Sequence, residues 1–110
     1  MFIQMKTMQI EEGHSDKLVE RFAGAGIIEQ QPGFLDLSIL KKKQRRGNEE
    51  AIIMIRWESE EAWKAWEKSD VHLAGHRENR GKPGPSFILD SKQEVFHVLG
   101  QKGYVEPLAK

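Results

Sequence analysis

The chain has 110 residues, contains no cysteine, and balances 17 Lys and Arg against 17 Asp and Glu. This length predicts a single domain over residues 1–110 that folds without covalent cross-links, and the lack of cysteine excludes disulfides, thiolate metal sites and thiol catalysis. The balanced charge provides no field that would attract nucleic acid or a membrane surface. Because the N-terminus lacks signal-peptide features and no apolar run reaches about 20 residues, we expect a cytoplasmic protein.

The N-terminal third of the chain predicts a strand, a helix and a turn. Residues 2–10 form a partly polar strand that includes Lys6. Apolar residues at helical spacing then predict an amphipathic helix, which ends near residues 24–26 because glycine accepts the backbone angles of a helix end. The Gln-Pro-Gly sequence at 31–33 predicts a turn, since proline presets one backbone angle and glycine tolerates the next.

Two further strands follow, joined by a basic segment. Residues 34–40 alternate apolar and polar side chains, the pattern of a strand with one wetter face. Residues 51–57 are apolar with almost no alternation, which indicates a strand that is buried on both sides. Residues 41–46 contain five Lys and Arg. Such a run can contact phosphate, but its position between two strands favours a solvated hairpin tip.

A helix with a break follows the third strand. Ser59 is placed to cap its start, and acidic residues in the first turn suit the unpaired N–H groups there. The apolar face of this helix contains Trp66, and Ser69 with the following aspartate predicts a stop and a new start. The second helix carries His72 and His76 and ends near residue 81. On one straight helix Trp66 and His76 would lie about 15 Å apart along the axis, whereas a bend allows them to line the same cavity.

The C-terminal part predicts a loop and a last strand. Residues 82–86 contain two prolines and a glycine, and the apolar residues 87–89 predict either a flap over a ligand or a return to the core. Residues 95–99 predict the last strand. The order β, α, β, β, broken α, β predicts an α+β ferredoxin-like sandwich, with helices on one face of an antiparallel sheet. Because strand 51–57 is apolar on both sides, we expect a homodimer that packs through its sheet faces.

One segment carries a recognisable motif. From Trp57 to Ser69 the sequence follows the pattern W-x-S-x-x-A-W-x-x-W-x-x-S, and a histidine stands ten residues after the last tryptophan. Together with the segment KAWEKSDVHLAGH and the Glu-Arg-Phe sequence at 20–22, this pattern resembles the antibiotic biosynthesis monooxygenase superfamily. More closely, it resembles the IsdG-type haem-degrading monooxygenases, and the resemblance covers nearly the whole chain.

The resemblance implies an activity and a set of site residues. Haem would be both substrate and cofactor, and the enzyme would open the porphyrin ring with oxygen and electrons from a reductase or a small-molecule reductant, releasing iron. His76 corresponds to the axial ligand of the haem iron, and Trp66 to the tryptophan that presses on the porphyrin. The family asparagine on the first strand falls at or beside Lys6, which implies a changed hydrogen bond to bound ligand. Arg77, Arg80 and Lys82 are candidates to bind the propionates.

Other interpretations of the same residues exist. Taken alone, Trp66 is a typical core residue, and His76 a typical surface histidine. His72 and His76 stand four residues apart and could bind a divalent metal, but two ligands do not complete a site. Alternative functions are a cofactor-free oxygenase that acts on a polyphenolic substrate, and a non-catalytic haem-binding protein.

Overall fold

A four-stranded antiparallel sheet with helices on one face forms the fold. The computed structural model describes residues 1–79 and 86–103, and for residues 75–79 it describes the backbone alone. In chain order the elements are β1 (Phe2–Ile10), α1 (Asp16–Phe22), a short 3₁₀ helix (Ile28–Gln30), β2 (Phe34–Lys41), β3 (Glu49–Trp57), α2 (Glu60–Glu67), α3 (Asp70–Asn79) and β4 (Ile88–His97). The strand order is β2-β3-β1-β4, so the predicted ferredoxin-like sandwich is confirmed. None of the helices in the described ranges is long and apolar enough to span a membrane.

The last strand differs from its prediction. It begins at Ile88 rather than at residue 95 and ends at His97, because it pairs antiparallel with the whole length of β1. The polar residues in the first half of β4 do not predict a strand from sequence alone. An edge strand tolerates such residues because one of its sides faces water. Phe87 and Ile88 pack against the core, so for them the chain returns to the core rather than forming a flap. Of the loop predicted at residues 82–86, all but Ser86 lies outside the described residues.

The two faces of the sheet have different neighbours. Successive strand residues point to opposite faces, and the even positions of β1 and the odd positions of β3 face the helices. The buried core on this inner face contains Met8, Ile10, Leu18, Ala51 and Ile53. On the outer face, Ile52 and Met54 are half-buried. The sequence was therefore correct that β3 carries apolar side chains on both faces.

Glu49 ties the beginning of β3 to the beginning of α1. Its carboxylate accepts hydrogen bonds from Ser15 Oγ at 2.5 Å and from the Ser15 backbone N–H at 3.2 Å, and it pairs with Lys41 Nζ at 3.0 Å. These donors favour the charged form, so the hydroxyl of Ser15 and then the ammonium of Lys41 lower the pKa of Glu49 to about 2. The basic segment beyond Lys41 forms the exposed connection to β3, as predicted.

Gly33 allows α2 to approach the start of β2. Its φ is +84°, and a Cβ at this position would overlap the Cβ of Ala62 on α2. The Gly33 carbonyl also accepts a hydrogen bond from the Glu58 backbone N–H at 2.8 Å, just before α2 begins. The turn predicted at 31–33 therefore sets the position of α2, the helix that carries Trp66.

We expect Gly33→Ala to destabilise the protein more than Gly13→Ala. Both glycines have a φ above +80°, so each substitution costs about 1–2 kcal/mol from the left-handed backbone. Only at Gly33 does the new methyl group meet another atom, and such overpacking adds about 1–3 kcal/mol. Urea unfolding of the three proteins measures the difference, and equal losses of unfolding free energy would contradict the close approach.

Candidate functional site

Ser69 forms the break between the two helices of the motif. The hydroxyl of Ser69 donates to the Trp66 carbonyl at 2.7 Å and accepts from the His72 backbone N–H at 3.2 Å. One side chain thus closes the last turn of α2 and caps the first turn of α3. Ser59 caps the start of α2 by accepting from the Ala62 N–H at 3.1 Å. Both the predicted cap and the predicted bend are confirmed.

The bend brings the rings of Trp66 and His72 together. Their ring centroids lie 4.7 Å apart with an interplanar angle of 57°. His72 Nε2 also lies 3.2 Å from a carboxylate oxygen of Glu67, and that partner holds the imidazole in place beside the indole. The three side chains form one wall of a cavity.

The cavity lies between this wall and the inner face of the sheet, and its volume is about 350 Å³. Two rows of paired strand residues form its floor: Leu37, Ile55 and Gln4 in one row, and Ile53, Lys6 and Gln93 in the next. The floor is therefore apolar toward β2 and β3 and polar toward β1 and β4. A planar ligand with an apolar body and polar groups at one edge matches this division.

The opposite wall comes from α1 and the segment that follows it. Arg21 and Phe22 line the cavity from the end of α1, and Glu29 lines it from the short 3₁₀ helix. Lys6 and Arg21 also line an adjoining cavity. These two cations lie where the polar side of the floor meets the helix layer, so anionic groups of a ligand would be favoured there.

Residues 1–78 match the family model described as antibiotic biosynthesis monooxygenase. The chain belongs to this family. It is 50% identical over 102 residues to the haem-degrading monooxygenase HmoA of Bacillus subtilis, an alignment that covers 93% of this chain and 94% of HmoA. The family resemblance expected from the tryptophan and histidine motif is thus confirmed.

Two solved structures have the same fold. A Bacillus cereus crystal structure with the same family description superposes with a TM-score of 0.83 and 50% identity, covering 96% of this chain and 98% of that one. The haem degrader MhuD from Mycobacterium tuberculosis, solved with two haems in its active site, superposes with a TM-score of 0.67 over 94% of this chain and all of MhuD. Its identity is 23%, so this likeness concerns the fold.

The structure brings together some of the residues that the sequence nominated. Trp66 and Lys6 line the same cavity, Trp66 in the helix wall and Lys6 in the sheet floor. The backbone of His76 lies in α3 one turn beyond His72, and Arg77 follows it in the same helix. Arg80 and Lys82 lie outside the described residues. The roles of all these residues in binding or catalysis stay predictions.

Sequence reasoning did not nominate most of the lining residues, among them Gln4, Arg21 and His72. Gln4 had a usable signal, because it alternates with Phe2 and Lys6 and must share their face of β1. Arg21 lies within the family motif at 20–22, although nothing in its spacing indicates a cavity. His72 was considered only as a partner of His76, since its contact with Trp66 depends on the angle of the bend.

We expect Ser69→Ala to separate Trp66 from His72, because it removes both side-chain hydrogen bonds at the bend and leaves only backbone bonds there. Loss of a helix cap costs about 1 kcal/mol, so the unfolding free energy should also fall by about that amount. Nuclear Overhauser effects between the Trp66 indole and the His72 imidazole protons measure the separation. Ser59→Ala is the matched control, since it removes a cap of α2 without touching the bend. Undiminished cross-peaks in Ser69→Ala would contradict this role.

Proposed function

We propose that this protein is a haem-degrading monooxygenase. It binds haem in the cavity between the sheet and the α2–α3 wall, opens the porphyrin ring with oxygen and electrons from an external donor, and releases iron. One observation carries the proposal: a chain that is 50% identical to HmoA over 93% of its length has a cavity with an indole wall, an apolar floor and cations at one side.

The lining residues fit the chemistry of haem. Its macrocycle is flat and apolar, and the floor offers Leu37, Ile53 and Ile55 to cover it. Its two propionates are anionic, and Lys6 and Arg21 lie together on one side of the cavity. Arg77, Arg80 and Lys82 are further candidates to bind the propionates, as the sequence predicted.

Each proposed residue has a distinct task. His76 in α3 would hold the haem iron through an imidazole nitrogen. The indole of Trp66 in the helix wall would contact the porphyrin face and fix its position in the cavity, a positional effect that lowers the barrier. Lys6 lies in the sheet floor, where its ammonium group would attract the anionic propionates of haem. Haem itself supplies the redox chemistry, while the protein supplies the ligand, the shaped cavity and the exclusion of water.

We expect haemin titration to give a saturable Soret shift at one haem per chain. His76→Ala should weaken binding by at least about tenfold, since even the loss of an outer-shell partner of a metal ligand costs that much. His14→Ala is the matched control, because His14 lies before α1 and stacks on Phe87 rather than lining the cavity. Binding is followed by absorbance with each variant.

Addition of ascorbate in air then tests turnover. We expect the Soret band to bleach and iron to be released, and both to persist when catalase removes free peroxide. A Soret band that survives the reductant would contradict degradation and favour haem carriage. The absence of any Soret shift in the wild-type protein would contradict haem binding and favour a cofactor-free oxygenase.

The proposal includes a homodimer that forms through the outer face of the sheet. Met5 and Met54 are paired across β1 and β3 at the centre of this face, next to the half-buried Ile52. Phe96 on β4 and Leu40 on β2 are more than 40% exposed on the same face. These side chains lie in three successive rows of the sheet and form a diagonal band from β2 to β4. Packing against a second copy would remove them from water.

We expect light scattering to give twice the chain mass for the wild-type protein and the chain mass for Met54→Asp. A carboxylate at the centre of an apolar interface would be buried without a partner, which opposes association. Val19→Asp is the control, because Val19 is an exposed apolar residue of α1 in the helix layer. A monomeric wild-type protein, or a dimeric Met54→Asp, would contradict the interface.

A further inference from the structure

His72 contacts two consecutive residues of α2 across the bend. Its ring centroid lies 4.7 Å from that of Trp66, and its Nε2 atom lies 3.2 Å from a carboxylate oxygen of Glu67. Because consecutive residues of an α-helix point about 100° apart, the two contacts hold the imidazole from two different directions. The side chains of His72 and Glu67 are only 18% and 31% exposed, so water competes weakly for the contact between them.

Trp66 needs such a support because its side chain is not enclosed by the core. It is half-buried and lines two cavities, the one between the helices and the sheet and a second one of about 370 Å³ beside α2. The second cavity extends along α2 to the turn at Gly33. An indole that borders two open spaces can exchange between staggered rotamers, unless a neighbouring side chain fixes one of them.

The other two tryptophans are held by the core. Trp57 is fully buried, and Trp63 packs against Phe2 with ring centroids 5.1 Å apart. Within the described ranges of the chain, the ring that contacts Trp66 is the imidazole of His72. Tilted aromatic rings at this separation attract each other. The orientation of Trp66 therefore depends on His72, whose own orientation depends on Glu67.

We propose that His72 is a positioning residue, which holds the indole of Trp66 in the orientation that contacts the porphyrin face. This inference rests on the proposed function, in which Trp66 fixes the position of haem in the cavity. The imidazole acts through the indole, and Glu67 acts by restraining the imidazole. A small displacement of a group that positions a reactant lowers the reaction rate strongly. A loosened indole would therefore slow ring opening, while the iron ligand proposed in α3 stays in place.

The rotamer populations of Trp66 test the proposal in the protein without haem. Three-bond NMR couplings between backbone nuclei and the indole Cγ atom measure them, because these couplings depend on the χ1 angle. We expect the values of a single rotamer in the wild-type protein and averaged values in His72→Ala. Glu67→Ala should change the couplings in the same direction by a smaller amount, since it leaves both rings in place and frees the imidazole. This second variant removes a more exposed side chain and preserves the test if His72→Ala does not fold.

His97 and Glu60 provide matched controls. The ring of His97 also contacts an aromatic ring, that of Phe2, with centroids 5.1 Å apart, and its Nε2 atom lies 4.0 Å from a carboxylate oxygen of Glu60. Neither His97 nor Glu60 lines the cavity that contains Trp66. We expect His97→Ala and Glu60→Ala to leave the couplings of Trp66 at their wild-type values.

Haem degradation gives a second readout. We expect His72→Ala to bind one haem per chain, and bleaching of the Soret band of this complex by ascorbate to slow by about tenfold or more. His97→Ala should bleach at the wild-type rate. Single-rotamer couplings in both His72→Ala and Glu67→Ala would overturn the proposal and leave the proposed function intact, and so would averaged couplings with an unchanged rate of bleaching. Failure of the wild-type protein to bind haem would overturn both.

Discussion

The two hydrogen bonds of Ser69 are the constraint on which the cavity depends. By accepting from the first turn of α3 and donating to the last turn of α2, the hydroxyl of Ser69 stabilises a bend where the motif could otherwise continue as one straight helix. A straight helix would place its tryptophan and its histidines on different sides and along one axis. The bend instead places Trp66 and His72 in contact, so that both line the same side of the cavity.

The inner face of the sheet carries both apolar residues that stabilise the fold and polar residues that do not. β1 buries Phe2, Met8 and Ile10 on this face, yet Gln4 and Lys6 interrupt the apolar series. A polar side chain in such a position costs free energy unless it is paired. The largest buried cluster lies toward one end of the sheet, around Ile10 and Leu18, and Phe2 and Trp57 are buried at the other end. The part of the face between them remains available to a ligand.

Two local devices hold the helix layer over this face. At one end, Glu49 binds the start of α1 through the backbone and hydroxyl of Ser15, and these bonds together with the ammonium of Lys41 lower the pKa of its carboxyl. At the other end, Gly33 allows Ala62 of α2 to approach β2 more closely than any side chain would permit. The cavity lies between these two anchors, so its width follows from the packing of α1 and α2 on the same sheet.

The sequence by itself determined the order of the elements, the cap at Ser59, the bend at Ser69 and the family, because these depend on local spacing and on a short motif. It mistook the beginning of β4, since the polar residues of an edge strand look like a loop until their pairing with β1 is known. It nominated Trp66 and Lys6, but it could not place them in one cavity. That placement, with the contact of His72, was decided by the tertiary structure, because it depends on strand register and on the angle between two helices that no local pattern encodes.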